Sequence, residues 1–134
     1  MSHVCVLASD WALPLCDCQS PRTTNQGNYQ ITVNQGFKVE ELNYYRHSVE
    51  ELGYPMKPFR YEFTLEKNVE DLQNLRSYLE ANFSYGEIVE LWSVWVGDVD
   101  KRPPPRFQGS LEDFDMEALA QFLAAEEICF NITI

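Results

Sequence analysis

Cations are scarce in this sequence. Ten lysines and arginines stand against twenty-one aspartates and glutamates, a formal net charge of -11 at pH 7. A sequence-independent nucleic-acid binder needs a basic surface to displace counterions from phosphate, so that class is excluded. Attachment to an anionic membrane surface is disfavoured for the same reason. Histidine is also rare, with only His3 and His47, which limits acid-base chemistry. No apolar run approaches the roughly 20 residues that a membrane-spanning helix needs. The opening V-C-V-L-A-S-D-W-A-L-P-L lacks a basic leader, and Asp10 and Pro14 interrupt it, so it does not read as a signal peptide. Lipidation signals are missing too. The expected location is therefore cytoplasmic. There is no phosphate-binding glycine loop, nucleophile elbow, H-E-x-x-H or dinucleotide fingerprint, and no cofactor is implied.

What the chain does have is bulk. Of its 134 residues 45% are hydrophobic, including eight Phe, seven Tyr and three Trp. At this length a folded chain buries roughly two-thirds of its unfolded surface. A core can form without disulfides or a structural metal, and residues 1–134 are expected to make a single globular domain. Cys5, Cys16, Cys18 and Cys129 are expected to be reduced thiols, since no secretion signal is present. Cys5 and Cys129 lie in strand-like apolar runs and read as core.

Residues 3–8 read as a first strand, buried on both faces. Residues 17–30 are rich in Asn, Gln, Thr and Ser and read as the most mobile loop, with a short strand over residues 29–33. Phe37 and Val39 alternate with charged residues, while Leu42, Tyr45, Val49 and Leu52 recur at helical spacing. This predicts an extended lead into a helix from about Glu41. Phe59, Tyr61, Phe63 and Leu65 alternate with polar residues and predict a half-buried strand. Asn68 suits a helix cap with Asp71 favouring the helix start, and Val69, Leu72, Leu75, Leu79 and Phe83 form one stripe.

Residues 87–96 are apolar on both sides and predict a central strand. Trp92 and Trp95 have opposite parity there, so they cannot stack on one face. Residues 97–109 read as a loop with an extended R-P-P-P-R centre. A last helix is expected over residues 111–126 and a last strand over residues 128–134. The second half thus reads β-α-β-α-β. Polar faces on two strands imply helices mainly on one face of a mixed β-sheet, an α+β two-layer sandwich. Right-handed crossovers are expected wherever adjacent strands run parallel.

Several clusters bear on chemistry. Asp10, Trp11, Cys16 and Cys18, with His3 or His47, combine soft ligands suited to zinc. Yet Cys-x-Cys is not the common Cys-x2-Cys spacing, no second pair follows, and ordinary thiols are preferred to a metal site. A nucleophilic thiol with His47 as base lacks an identifiable orienting group, and Asp17 between the thiols opposes thiolate formation. Asp10 follows a buried strand, as ligand-facing acids do, but together with Ser9 it also suits bonding to nearby backbone and shaping the turn. The acids over residues 112–117 lack the glycine of a calcium loop and read as helix-start acids able to face a basic partner. Lys101, Arg102 and Arg106 form the one basic island, either a stiff linker or a docking element.

Residues 5–15, C-V-L-A-S-D-W-A-L-P-L, resemble the start of a family of small uncharacterised bacterial proteins. Those chains open with a short Cys-bearing strand, then Ala-Ser-Asp, then Leu-Pro. Residues 79–97, with a helix end, a Gly-Glu turn and an apolar strand, are similar to their later portion. The members carry a mid-chain Gly-Cys-Gly-Cys stretch that this sequence lacks, so no thiol or metal chemistry carries over. The family brings no activity with it.

Small size, acidity and missing catalytic motifs together favour a non-catalytic protein-binding domain, immunity- or inhibitor-like, with a basic protein partner. The alternative is a small enzyme or ligand- or metal-binding protein using a cleft near Asp10, Cys16, Cys18 and His47. A homodimer through a sheet edge or apolar patch stays open.

Overall fold

A computed structural model describes residues 2–97 and 102–134. Its centre is β1 (Ser2–Ser9), flanked on both sides by antiparallel partners, β6 (Phe59–Thr64) and β7 (Ile88–Val96). The sheet continues through β5 (Lys38–Glu41) to β2 (Cys16–Asp17) at one edge. At the other it runs through β9 (Ile128–Thr133) to β8 (Arg106–Ser110). The order is β2-β5-β6-β1-β7-β9-β8, and only the β8–β9 pair is parallel. A separate antiparallel hairpin joins β3 (Ser20–Gln26) to β4 (Tyr29–Gln35).

Helices cover both faces unequally. α2 (Val69–Asn82) and α3 (Met116–Ala124) lie on one face, where Leu72, Leu75, Leu79, Leu119 and Phe122 pack against Leu7, Phe63, Leu91 and Ile132. The short α1 (Arg46–Leu52) lies on the other, with Val49, Tyr54 and Met56 against Val6, Ala8, Trp92 and Val94. The protein is thus an α+β sandwich on a mixed sheet, with two of its three helices on one face. β1 and β7 are apolar on both sides because each supplies alternate residues to each core. Among the described residues no helix is long and apolar enough to cross a membrane.

Four expectations need correction. The region expected as loop over residues 17–30 contains β3 and, with β4, forms a hairpin turned at Gly27-Asn28, where Gly27 has φ 61°. The short strand expected over residues 29–33 is present within β4, but β3 is polar and exposed on both sides and shows no alternation; Thr23 and Thr32 hydroxyls meet at 2.8 Å across the hairpin. The first helix begins at Arg46, because residues 38–41 are spent pairing with β6. The loop expected over residues 97–109 gives way to β8 at Arg106, which makes the second half β-α-β-β-α-β; residues 98–101 lie outside the described residues. The last helix is shorter than residues 111–126, since Asp115 caps it by accepting from the Ala118 amide at 3.0 Å.

Local chemistry explains the elements that were anticipated. Asn68 accepts from the Asp71 amide at 2.8 Å and starts α2, satisfying one orphan donor of its first turn. The Asp71 carboxylate is fully buried. It accepts from the Glu66 amide at 2.7 Å and from Arg22 at 3.0 Å, which ties the hairpin to the head of α2.

Candidate functional site

The turn after β1 is held by side chains of β1, β6 and α2. Ser9 Oγ accepts from the Trp11 amide at 3.2 Å, Tyr61 Oη accepts from the Leu13 amide at 2.8 Å, and Tyr78 donates to the Pro14 carbonyl at 2.7 Å. Asp10 takes no part in that turn. It is exposed and accepts from Lys57 Nζ at 2.7 Å. Trp11 is half-buried and tilted against Phe83, ring centroids 5.2 Å apart.

The same turn delivers Cys16 and Cys18 to the edge of the sheet, on the α2/α3 side. Their sulfurs are 3.5 Å apart and both are half-buried. The Cys18 amide donates to the Phe37 carbonyl at 2.8 Å. Burial, the neighbouring Cys18 and the Asp17 charge push the Cys16 thiol up to about 11. Burial is the largest cause that pushes Cys5 up to about 11 and Cys129 up to about 12. His47 does not join this group. It sits on α1, which packs on the opposite sheet face, with its side chain 91% exposed and Glu50 at 3.8 Å. His3 is also elsewhere, donating to or accepting from Ser93 Oγ at 2.6 Å and lying edge-on to Trp95. Among the described residues no three His, Cys, Asp or Glu side chains gather as a metal cage would require.

The basic island divides. Lys101 lies outside the described residues, and Arg102 is exposed. Arg106 is tied down: it donates to Glu90 at 3.0 Å and Asn131 at 2.9 Å, and its guanidinium sits 5.0 Å over the Trp92 ring. Glu90 is buried in β7 and also accepts from the Lys57 amide at 2.8 Å and the Trp92 indole at 3.2 Å. Sequence reasoning missed this acid, whose signal was a carboxylate inside an otherwise apolar central strand.

A groove that sequence reasoning also missed opens between the end of α2 and the β8–β9 end of the sheet. It encloses about 570 Å³ and is lined by Arg76, Glu80, Tyr85, Leu111, Glu112 and Ile134 among others. Tyr85 is 98% exposed, standing in the turn that Gly86 makes possible with φ 87°. Backbone bonds fix the floor: Gly86 N–H to Ile134 O at 3.1 Å, and Leu111 N–H to Thr133 O at 2.8 Å. Exposed acids continue from the rim toward α3 as Glu112, Asp113, Asp115 and Glu117. Asp113 accepts from Ser110 Oγ at 3.0 Å, and Asp115 caps α3. Among the described residues none of these four pairs with a lysine or arginine.

Comparison with known protein families, curated proteins and solved structures finds no match.

Proposed function

We propose that this chain is a non-catalytic, acidic protein-binding domain of the immunity or inhibitor kind, which engages a basic protein partner at the Tyr85 groove. The observation that carries this is a fully exposed tyrosine beside an apolar floor, with Glu80 and Glu112 on the rim. Aromatic side chains packed into a partner's pocket supply most of the energy at such interfaces. Acidic rims add speed and discrimination toward basic surfaces. The run of acids leading into α3 carries no cation of its own among the described residues, so it adds to the local field.

The test is affinity capture from the native host on the immobilised chain, with Tyr85→Ala and Glu80→Lys/Glu112→Lys as controls. A basic protein should be retained at low salt and released as salt rises. Either variant should lower its affinity at least about tenfold, equivalent to roughly 1.4 kcal/mol. Equal retention by all three chains, or binding indifferent to ionic strength, overturns the proposal.

A homodimer is the second reading, and the β3–β4 hairpin favours it. Residues 20–35 carry a single charge, Arg22, in a chain of net charge -11. Tyr29, Ile31 and Val33 are all exposed and, as alternate residues of one strand, share a face. Sedimentation equilibrium of the native chain and of Tyr29→Ser/Ile31→Ser decides it. A monomer at every concentration removes this reading.

A further inference from the structure

We propose that Cys16 and Cys18 are an oxidisable pair, which a low-molecular-weight disulfide such as glutathione disulfide closes into a bond across the end of β2 that loosens β2 from β5. This is independent of the groove at Tyr85 and involves none of its residues.

Three observations place the reaction here. The first is the 3.5 Å between the two sulfurs, which leaves little further approach before a bond can form. The second is position. Cys16 opens β2, an edge strand of two residues held from one flank only, and Cys18 directly follows its end, joined to Phe37 by its amide. The third is the state of Cys129, which is fully buried in β9 and so does not compete for an oxidant.

The structural consequence follows from strand geometry. Two residues of extended chain span roughly 6.6 Å between Cα atoms, at the upper limit of about 6.8 Å for a disulfide, whose common span is nearer 5.5–6 Å. Closing the bond therefore shortens the strand. The Cys16–Val39 and Asp17–Lys38 register cannot persist at that length, and the Cys18 amide is drawn from the Phe37 carbonyl. The resulting bond is strained and easily reduced, which makes the change reversible.

The step balances as two exchanges. One protein thiolate attacks the oxidant, forming a mixed disulfide and releasing one small thiolate. The second protein thiolate attacks the protein sulfur of that mixed disulfide, forming the Cys16–Cys18 bond and releasing the second small thiolate. The two protons lost by the cysteines end on the two released thiols. The cysteines together give up two electrons and the oxidant disulfide gains them. Burial and Asp17 keep the Cys16 thiolate scarce at neutral pH, so closure is slow there and quickens as pH rises.

The test treats the native, folded chain with millimolar glutathione disulfide and reads intact mass, peptide linkage and amide exchange. The expected product is two hydrogens lighter, carries no adduct and shows Cys16 linked to Cys18. Its Cys18 amide exchanges at least about tenfold faster than in the reduced chain, and a dithiol restores the original rate. Cys16→Ser and Cys18→Ser should each stop at a single stable glutathione adduct. A native chain that keeps all its thiols, stops at an adduct or links other cysteines overturns the proposal. So does a closed pair with unchanged exchange at Cys18.

Discussion

Replacing Glu90 by alanine tests whether the buried carboxylate of β7 holds the start of β8 in place. Glu90 is 4% exposed and accepts from three donors: the Lys57 amide, the Trp92 indole and the Arg106 guanidinium. Alanine leaves all three without that acceptor. A buried donor stripped of its partner costs about 1–3 kcal/mol. The Trp92 indole lies in the core and the Lys57 amide is partly buried, so these two together cost about 3 kcal/mol. Arg106 is 30% exposed in its side chain and keeps Asn131, so water and that amide compensate most of its share. A loss of about 3 kcal/mol is a large fraction of the 5–15 kcal/mol that stabilises a typical domain. Glu90→Gln keeps an oxygen for Lys57 and Trp92 but presents an amide to Arg106, and should cost about 1 kcal/mol. Urea denaturation followed by tryptophan fluorescence measures both. If Glu90→Ala stays within about 0.5 kcal/mol of the native chain, the range of an ordinary surface change, the reasoning fails.

Two further outcomes are expected. Glu62 is half-buried and faces Glu40 across the β5–β6 ladder, and burial first, then that like charge, raises its pKa. A carboxyl raised on folding costs stability above its folded pKa and costs nothing below its unfolded value near 4.5. Glu62→Gln should therefore stabilise the fold at pH 7 and give no gain by pH 4, which denaturation at the two pH values would check; an equal effect at both refutes it. Gly36 returns the chain from the hairpin at φ 141°, and an added Cβ there would come 3.0 Å from the Cys18 carbonyl oxygen. Gly36→Ala should lower stability by about 1–3 kcal/mol, read as a fall in melting temperature, and an unchanged melting temperature refutes it.

Legibility in the sequence followed burial. Where an element has one buried and one wet face, its period shows in the residues, as in β6, α2 and β9. Even there the ends drifted: Phe59 of β6 and Val69 of α2 belong to the expected apolar faces, yet lie more than a third exposed at the tips of their elements. The first strand of the hairpin was hidden because neither of its faces is buried, so nothing forces alternation on residues such as Arg22, Thr23 or Thr24. The turn was marked by Gly27-Asn28, but a turn signal with alternation on one flank only does not read as a hairpin. β8 was hidden for a related reason. It pairs on one flank only, follows three prolines and contains Gly109, so pairing with β9 and not composition makes it a strand.

The candidate site shows a different limit, because closeness in sequence is informative only when the backbone between is known. Cys16 and Cys18 were linked by spacing, and the chain leaving the edge strand β2 turns that spacing into a 3.5 Å contact. His47 was linked to them by chemistry alone, and the sheet separates them, since α1 packs on the face opposite α2 and α3. Arg106 was read with Lys101 and Arg102 by charge. Yet β8 lays it beside Glu90, sixteen residues back in the chain, and over Trp92. Charge that reads as one island in the sequence is thus divided in the fold: Arg106 is held by Glu90 and Asn131, and Arg102 is exposed.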